Sequence, residues 1–338
     1  ETPFFGEMIR GLAYQPFIRS AQPGEVEHID VRSSYIERLL KDYEVPKKRL
    51  KLAWDPGNGA AGEIIEFLIQ HIDADHIVIN AAIDGNFPNH HPDPSVEKNL
   101  EQLRTIIAEH NCDAGIAFDG DADRLGILDQ QGRAFMGDHL LMVFAADILK
   151  KLPGAKIIGD VKTSQAFYEI VPRLGGQALM CRTGHSFIKV MAHAEKAALA
   201  GEVSGHLFFA DQYYGYDDAI YAAIRFINIL QASNQTCADI YDHLPHYHST
   251  PELRIDCPDD LKFKIIDDMK ADFKAQGLVF SDIDGIRYED EHGWWLIRAS
   301  NTQPALVGRC ESKTQAGLES LRHHLSLNLK KFYKKAEI

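Results

Sequence analysis

From Val31 onward, short apolar runs alternate with stretches whose apolar residues fall three and four positions apart. VRSSYIERLLKDY places Tyr35, Ile36, Leu39, Leu40 and Tyr43 on one face of a helix. RLKLAW reads as a strand, GEIIEFLIQHI as a helix and HIVIN as a second strand. SVEKNLEQLRTIIAEHN reads as a helix opened by Ser95, with Asp93 just upstream as a cap. DAGIAF and LGILD are further strands on either side of an acidic loop. Strands alternating with such helices imply a largely parallel sheet covered by helices. The unit then recurs. AKIIGDVKTSQAFYEIVPRLGG (155–176) lines up with LKLAWDPGNGAAGEIIEFLIQH (50–71), each running strand, aspartate (Asp160 or Asp55), loop and helix. PHYHSTPE, with its two prolines, marks a linker. Beyond it, GIRYE, GWWLIRAS and ALVGRCE are short strands joined by turns, followed by the amphipathic helix TQAGLESLRHHLSLNLKKFY.

The expected fold class is α/β. Two consecutive related α/β domains, residues 31–133 and 134–245, carry mixed, mainly parallel sheets covered by helices. A small C-terminal α+β domain, 246–338, carries an antiparallel sheet. Residues 1–30 show only a helical turn at EMIRGL and a polar loop at SAQPGEVEHID.

Composition narrows the partners. The chain has 338 residues, 45% hydrophobic and 25% charged, an ordinary globular composition with room for two or three domains. A formal net charge of −13 without any block of Lys or Arg argues against nucleic acid or an anionic membrane as partner. Local cations can still receive a small anion. The five cysteines, odd in number and without a C-x-x-C, read as a reduced cytoplasmic protein with neither disulfide framework nor zinc site. No apolar run approaches the ~18 residues of a membrane span, and the start does not read as a signal peptide. The acidic charge and the lack of heptads point to a monomer.

AFDGDADRLGI (117–127) carries the clearest chemistry. Asp119, Asp121 and Asp123 occupy alternate positions, so an extended loop projects them to one side. Like charges this close need a cation. Hard oxygen donors without His or Cys select Mg²⁺ or Ca²⁺. The twelve-residue calcium loop fails, since Gln130 stands where its bidentate Glu belongs, which leaves Mg²⁺. Arg124 follows, placed to meet a phosphate on the metal. DPGNGAAGE has the Gly57-x-Gly59-x-x-Gly62 spacing of a dinucleotide fingerprint, but the next strand ends in Asn80 instead of an acid. It reads as a tight strand-to-helix turn.

In GEVSGHLFF, Glu202, Ser204 and His206 alternate and present an acceptor, a hydroxyl and an imidazole to one side, a set suited to sugar hydroxyls. RTGHSFIK adds Arg182, His185 and Lys189, and DVKTS adds Lys162, so the middle domain collects cations in loops after strands. RASNTQP offers Arg298, Ser300, Asn301 and Thr302 between two strands, a guanidinium, hydroxyls, an amide and backbone N–H groups fit to cradle a phosphate. The 16 histidines, including His90, His91, His243, His246 and His248, read as surface residues.

Together these stretches resemble the α-D-phosphohexomutase family, most closely its phosphomannomutase/phosphoglucomutase branch. DGDADR is similar to that family's metal loop, TGHSFIK to its domain-three loop, GEVSGH to its sugar-specificity loop and RASNTQP to its phosphate loop. PGNGAAG and FPNHHPDPSVEKNLEQL match its second domain. The resemblance runs from about Val31 to the C-terminus. It implies an isomerase, an intramolecular phosphotransferase that interconverts hexose 1-phosphate and 6-phosphate of mannose or glucose. The route is a phosphoserine and a 1,6-bisphosphate intermediate. Asp119, Asp121 and Asp123 would hold Mg²⁺, assisted by Arg124. Glu202, Ser204 and His206 would hold the sugar, and Arg298, Ser300, Asn301 and Thr302 the phosphate not reacting. Lys162 and His185 are candidates for proton transfer.

His139 stands where the family often has Arg, and Arg182 where Lys is common. The family's serine loop, Thr-x-Ser-His-Asn-Pro, occurs nowhere in these residues. The resemblance therefore implies that residues 1–30 are the tail of a missing first domain and that the chain alone does not turn over. Alternative readings are a phosphoglucosamine mutase, whose specificity loop usually has Gln where Val203 stands, or a phosphosugar-binding protein without turnover.

Overall fold

A computed structural model describes residues 2–15 and 24–336, which fall into two units, 1–35 and 36–338. In the first unit, helix α1 (Thr2–Ala13) is longer than the EMIRGL turn expected, extending it mainly on the N-terminal side. Part of SAQPGEVEHID lies outside the described residues. Helix α2 (Arg32–Leu40) leads into the second unit, where Ile36 and Leu39 are buried.

The first sheet contains β1 (Leu50–Asp55), β2 (Ala74–Val78), β3 (Ala114–Phe118), β4 (Leu125–Asp129) and β5 (Ala134–Phe135), in the order β2-β1-β3-β4-β5. The β1–β2 and β1–β3 pairs are parallel, whereas β3–β4 and β4–β5 are antiparallel. Helices α3 (Gly62–Leu68) and α4 (Glu101–His110) accompany it, and Leu103 and Ile107 of α4 pack on Ala53 and Leu128. Strand β2 starts two residues before HIVIN and releases Asn80, in left-handed backbone at φ 53, to donate to Asp55 Oδ1 at 3.0 Å. The expected helix start at Ser95 is not found. Pro92 and Pro94 disfavour helix there. Asp93 Oδ1 instead accepts the Ser95 N–H and hydroxyl in a turn, and α4 begins at Glu101 after a 3₁₀ turn, Glu97–Leu100.

The second sheet repeats the plan. Helix α5 (Gly137–Lys151) precedes β6 (Lys156–Asp160), α6 (Gln165–Arg173), β7 (Gln177–Cys181), α7 (His185–Glu195), β8 (Leu199–Gly201) and β9 (Leu207–Phe209). Strand order is β7-β6-β8-β9, with β6 parallel to both neighbours and β9 antiparallel to β8. Helices α8 (Ala219–Ala232) and α9 (Cys237–Asp242) follow. Arg133 ties the β4–β5 turn to α9, pairing with buried Asp129 at 2.7 Å and with Asp242 at 2.6 Å.

The last region carries β10 (His248–Ser249), β11 (Leu253–Asp256), α10 (Asp259–Ala275), β12 (Phe280–Ser281), β13 (Ile286–Asp290), β14 (Gly293–Ala299), β15 (Ala305–Ser312) and α11 (Gln315–Phe332). Its sheet is antiparallel, in the order β10-β15-β14-β13-β12, with β11 also on β15. Its own core gathers Trp295, Phe273, Leu321 and Leu325.

Two of its arginines grip the loop after β6. Arg287 Nη1 donates to the carbonyls of Val161 (2.7 Å) and Thr163 (3.0 Å), and Arg309 Nη1 to that of Lys162 (2.8 Å). Between them Trp294 packs with Leu296 against Val161, its ring centroid 3.8 Å from the Arg287 guanidinium carbon. A side chain 1% exposed holding two carbonyls cannot be shortened without stranding them. Arg287→Met is therefore expected to cost about 2 kcal/mol or more in denaturant unfolding, and an unchanged midpoint would refute this account of the junction.

Candidate active site

Both α/β repeats end their two central parallel strands in a buried carboxylate. Asp55 and Asp160 close β1 and β6, while Asp119 and Glu202 directly follow β3 and β8; each is no more than 4% exposed. Each carboxylate is met by donors from the loop it opens. Asp55 accepts Gly57 N–H at 2.9 Å and pairs with His90 Nε2 at 2.9 Å. His90 is thus not a surface histidine, and the carboxylate lifts its pKa above the ordinary value. Asp160 accepts the hydroxyls of Thr163 (2.9 Å) and Thr183 (3.3 Å). The glycine run after β1 serves a close backbone approach. A Cβ on Gly59 would lie 2.6 Å from Gly120 O, so the bare backbone lets this turn close on the aspartate loop.

In that loop, carboxylate oxygens of Asp119, Asp121 and Asp123 lie within 4.8 Å of one another. Asp119 Oδ1 accepts the N–H groups of Asp123 and Arg124, both at 3.0 Å, and Ala122 turns the loop in left-handed backbone at φ 63. Burial pushes the Asp119 carboxyl up to about 6 against the pull of Arg124. Three converging carboxylate oxygens are a donor set for a hard divalent cation. Arg124 does not reach past them. Its Nε lies 2.7 Å from Asp119 Oδ2 and its Nη1 3.0 Å from Asp93 Oδ1, so the guanidinium braces the loop.

The second repeat faces this loop directly. Arg124 and His206 form an antiparallel bridge, and Leu125 N–H donates to Gly205 O at 3.1 Å. His206 Nε2 sits 3.3 Å from Asp123 Oδ1, and its Nδ1 2.9 Å from both Glu202 Oε2 and Ser204 Oγ. Glu202, Ser204 and His206 do converge, but on one another. Glu202 is buried, with its other oxygen accepting Gly184 N–H at 2.8 Å, so it is less open than an exposed acceptor would be. His185 stacks on His206 with centroids 5.9 Å apart, and its Nδ1 lies 3.3 Å from Asp217 Oδ2. Lys189 pairs with the other Asp217 oxygen at 3.1 Å. Lys162 points to Glu252 at 3.3 Å, and Arg182 lies over the Phe187 ring at 4.0 Å.

The RASNTQP loop enters from β14. Arg298, 6% exposed, donates through Nε to Asp284 Oδ2 at 2.8 Å. Ser300 Oγ accepts Gln303 N–H at 3.1 Å and shapes the turn, leaving Asn301 and Thr302 exposed. A cleft of about 230 Å³ beside it is lined by Arg182, Lys270, Asp284 and Asn301. His139 lies at the start of α5, against Tyr241 and His246, and burial lowers its pKa.

Residues 33–132 match the family described as phosphoglucomutase/phosphomannomutase, alpha/beta/alpha domain II. Residues 136–247 match its domain III, and 252–327 its C-terminal domain. The chain belongs to the phosphoglucomutase/phosphomannomutase family. It is 42% identical over 299 residues to a phosphomannomutase/phosphoglucomutase of Pseudomonas putida, an overlap of 88% of this chain and 64% of that protein. Against a phosphoglucomutase of Neisseria gonorrhoeae it is 39% identical over 320 residues, 94% of this chain and 69% of the relative. A solved structure of a family protein from Burkholderia thailandensis superposes with a TM-score of 0.85 at 38% identity, covering 92% of this chain and 66% of that one. The chain thus spans about two thirds of the length of the relatives it matches.

Within this phosphohexomutase fold, Asp217, Asp284, Arg287 and Arg309 carry contacts that no motif announced. Asp217 sits in a Tyr-rich loop, and Asp284-Gly285 reads as an ordinary turn. Among the described residues no helix is long and apolar enough to cross a membrane, and all five cysteines are buried and unpaired.

His206 gives the site a pH signature. Burial disfavours its charged form, yet the carboxylates of Asp123 and Glu202 outweigh that and push the imidazole up to about 9. A raised folded-state pKa contributes stability that is complete below the unfolded value of ~6.5 and lost as pH rises through about 9. The metal-free chain is expected to lose stability over that window, and His206→Asn to flatten the loss. An NMR titration placing His206 near ~6.5 would contradict the network.

Proposed function

We propose that this chain forms the metal-, sugar- and phosphate-binding part of a hexose-phosphate mutase. The reaction interconverts the 1- and 6-phosphates of mannose or glucose through a phosphoserine and a 1,6-bisphosphate. The observation that supports it most is the joining of the aspartate loop to the GEVSGH loop, with His206 lying between Asp123 and Glu202. A phosphoryl-handling loop and a hydroxyl-binding loop then form one wall, which a sugar phosphate needs.

On this reading Asp119, Asp121 and Asp123 hold Mg²⁺. When bound, the ion neutralises charge on the oxygens of the transferring phosphoryl group. Arg124 acts mainly by bracing Asp119. Ser204 and His206 meet sugar hydroxyls, and Glu202 fixes the imidazole that does so. His206⁺ and Lys189 supply positive charge on the sugar side, with His185 or Lys162 moving a proton at the transferring oxygen. Arg298, Ser300, Asn301 and Thr302 grip the phosphate that is not reacting. Phosphoryl transfer asks for this kind of positioning more than for covalent help.

Two measurements test the reading. Mg²⁺ at ten times its Kd is expected to add ~1.4 kcal/mol of stability, seen as a raised unfolding temperature. Asp121→Asn, at an exposed position, should reduce that gain without unfolding the chain. A site preferring Zn²⁺ over Mg²⁺ would count against the assignment. In calorimetry, Arg298→Ala should weaken glucose 1-phosphate and glucose 6-phosphate alike, by ~10-fold or more, a loss typical of a charged hydrogen bond. Unchanged affinity for both would remove the phosphate role of this loop.

A further inference from the structure

Two consecutive backbone amides precede helix α7, and carboxylates from opposite sides take them. Gly184 N–H donates to Glu202, on the loop after β8. Thr183 N–H donates at 3.0 Å to Asp284 Oδ2, which comes from the turn before β13. That same oxygen accepts Arg298 Nε at 2.8 Å. Asp284 and Arg298 are 8% and 7% exposed in their side chains, so the pair is shielded from water. Held by Nε alone, Arg298 keeps both terminal nitrogens without a protein acceptor among the described residues. They remain for an anion.

We propose that Asp284 is a positioning residue for the sugar phosphate, acting through Arg298 and Thr183. Its one oxygen aims the guanidinium of the phosphate loop and sets the spacing between that loop and residues 182–185. This rests on the function proposed above and adds the element that registers the two binding loops. His185 and the Glu202-held Gly184 follow Thr183 directly, so any shift of Thr183 moves the sugar-side groups relative to Arg298. The cleft of about 230 Å³ lies along this register, with Asp284 in its wall beside Arg182 and Asn301.

The charge of Asp284 makes the idea decidable, because it works against its geometry. A carboxylate beside a phosphate site repels the ligand. If Asp284 were only a counter-charge, its removal would tighten phosphate binding; if it positions, removal weakens it. Asp284→Ala is expected to weaken glucose 6-phosphate by ~10-fold or more, as when one partner of a buried charge pair is truncated. Inorganic phosphate, which touches only the phosphate loop, should change by less than ~3-fold. Asp284→Asn keeps an acceptor oxygen for both N–H groups and should restore most of the hexose phosphate affinity. Hydrogen exchange at the Thr183 amide should be slow in the parent and in Asp284→Asn, and fast in Asp284→Ala.

Should the alanine variant fail to fold, Asp284→Glu moves the loops by one methylene while keeping the ion pair, and the same selective loss is expected. Tighter or unchanged glucose 6-phosphate binding in Asp284→Ala overturns the proposal. An equal loss for glucose 6-phosphate and inorganic phosphate overturns the coupling of the two loops. Arg298→Ala separates the two levels of the argument. If it loses hexose phosphate and Asp284→Ala does not, the positioning role alone fails. If Arg298→Ala binds as the parent does, the phosphate reading itself fails.

Discussion

Four carboxylates buried at the ends of four parallel strands set the terms for everything around them. Asp55, Asp119, Asp160 and Glu202 sit where ligands collect in open α/β sheets, at the carboxyl ends of the strands. A buried ionised carboxylate is costly unless hydrogen-bond donors surround it. Each loop therefore folds to supply them: the Arg124 side chain and amide for Asp119, threonine hydroxyls for Asp160, His90 for Asp55, His206 and an amide for Glu202.

The C-terminal sheet extends the same logic to carbonyl groups. Residues 161–163 turn out of β6 with three successive carbonyls, and Arg287 and Arg309 take all three. Lys162 is thereby anchored by its backbone, while its side chain pairs with Glu252. Burial depresses the Arg287 pKa. A guanidinium is nonetheless suited to the place, since its planar fork can meet several acceptors and stack on Trp294 at once. The RASNTQP loop thus stands on a sheet bolted to the sheet that carries the GEVSGH loop.

Much of this was legible before any coordinates. Apolar periodicity located the elements of the first sheet from β1 to β4, the strands β13 to β15 and helix α11, but left α5, α8 and α10 unread. The recurrence around Asp55 and Asp160 predicted two sheets of one plan, which their matching strand orders bear out. The acidic period-two run announced converging carboxylates because alternation is a local property. What failed was non-local. Ser95 carries a helix-cap signal, but Pro92 and Pro94 disfavour helix there, its segment stays a turn, and Asp93 braces Arg124 from that position. Arg124 carries a cation that spacing would aim outward, yet burial of Asp119 claims it first. Asp217 and Asp284 lie in unremarkable turns and acquire roles only through partners far along the chain: His185, Thr183 and Arg298.

Among the differences between the two copies of the plan, one lies at the junction of their loops. In each, the chain leaves the acid, turns and returns antiparallel; at the return the first copy carries Arg124 and the second His206, and these two residues face each other across the bridge. Arg124 turns back onto its own acid, so the first loop sets the three carboxylates of Asp119, Asp121 and Asp123 against one guanidinium. His206 reaches outward as well as back, touching Asp123 and Glu202 together, so the second loop carries its cation within itself. The two related loops therefore differ in charge: the first holds more carboxylates than cations, and the second matches its one acid with His206. On the proposed reading, that asymmetry decides which end of a sugar phosphate meets the metal and which meets the hydroxyl-binding groups.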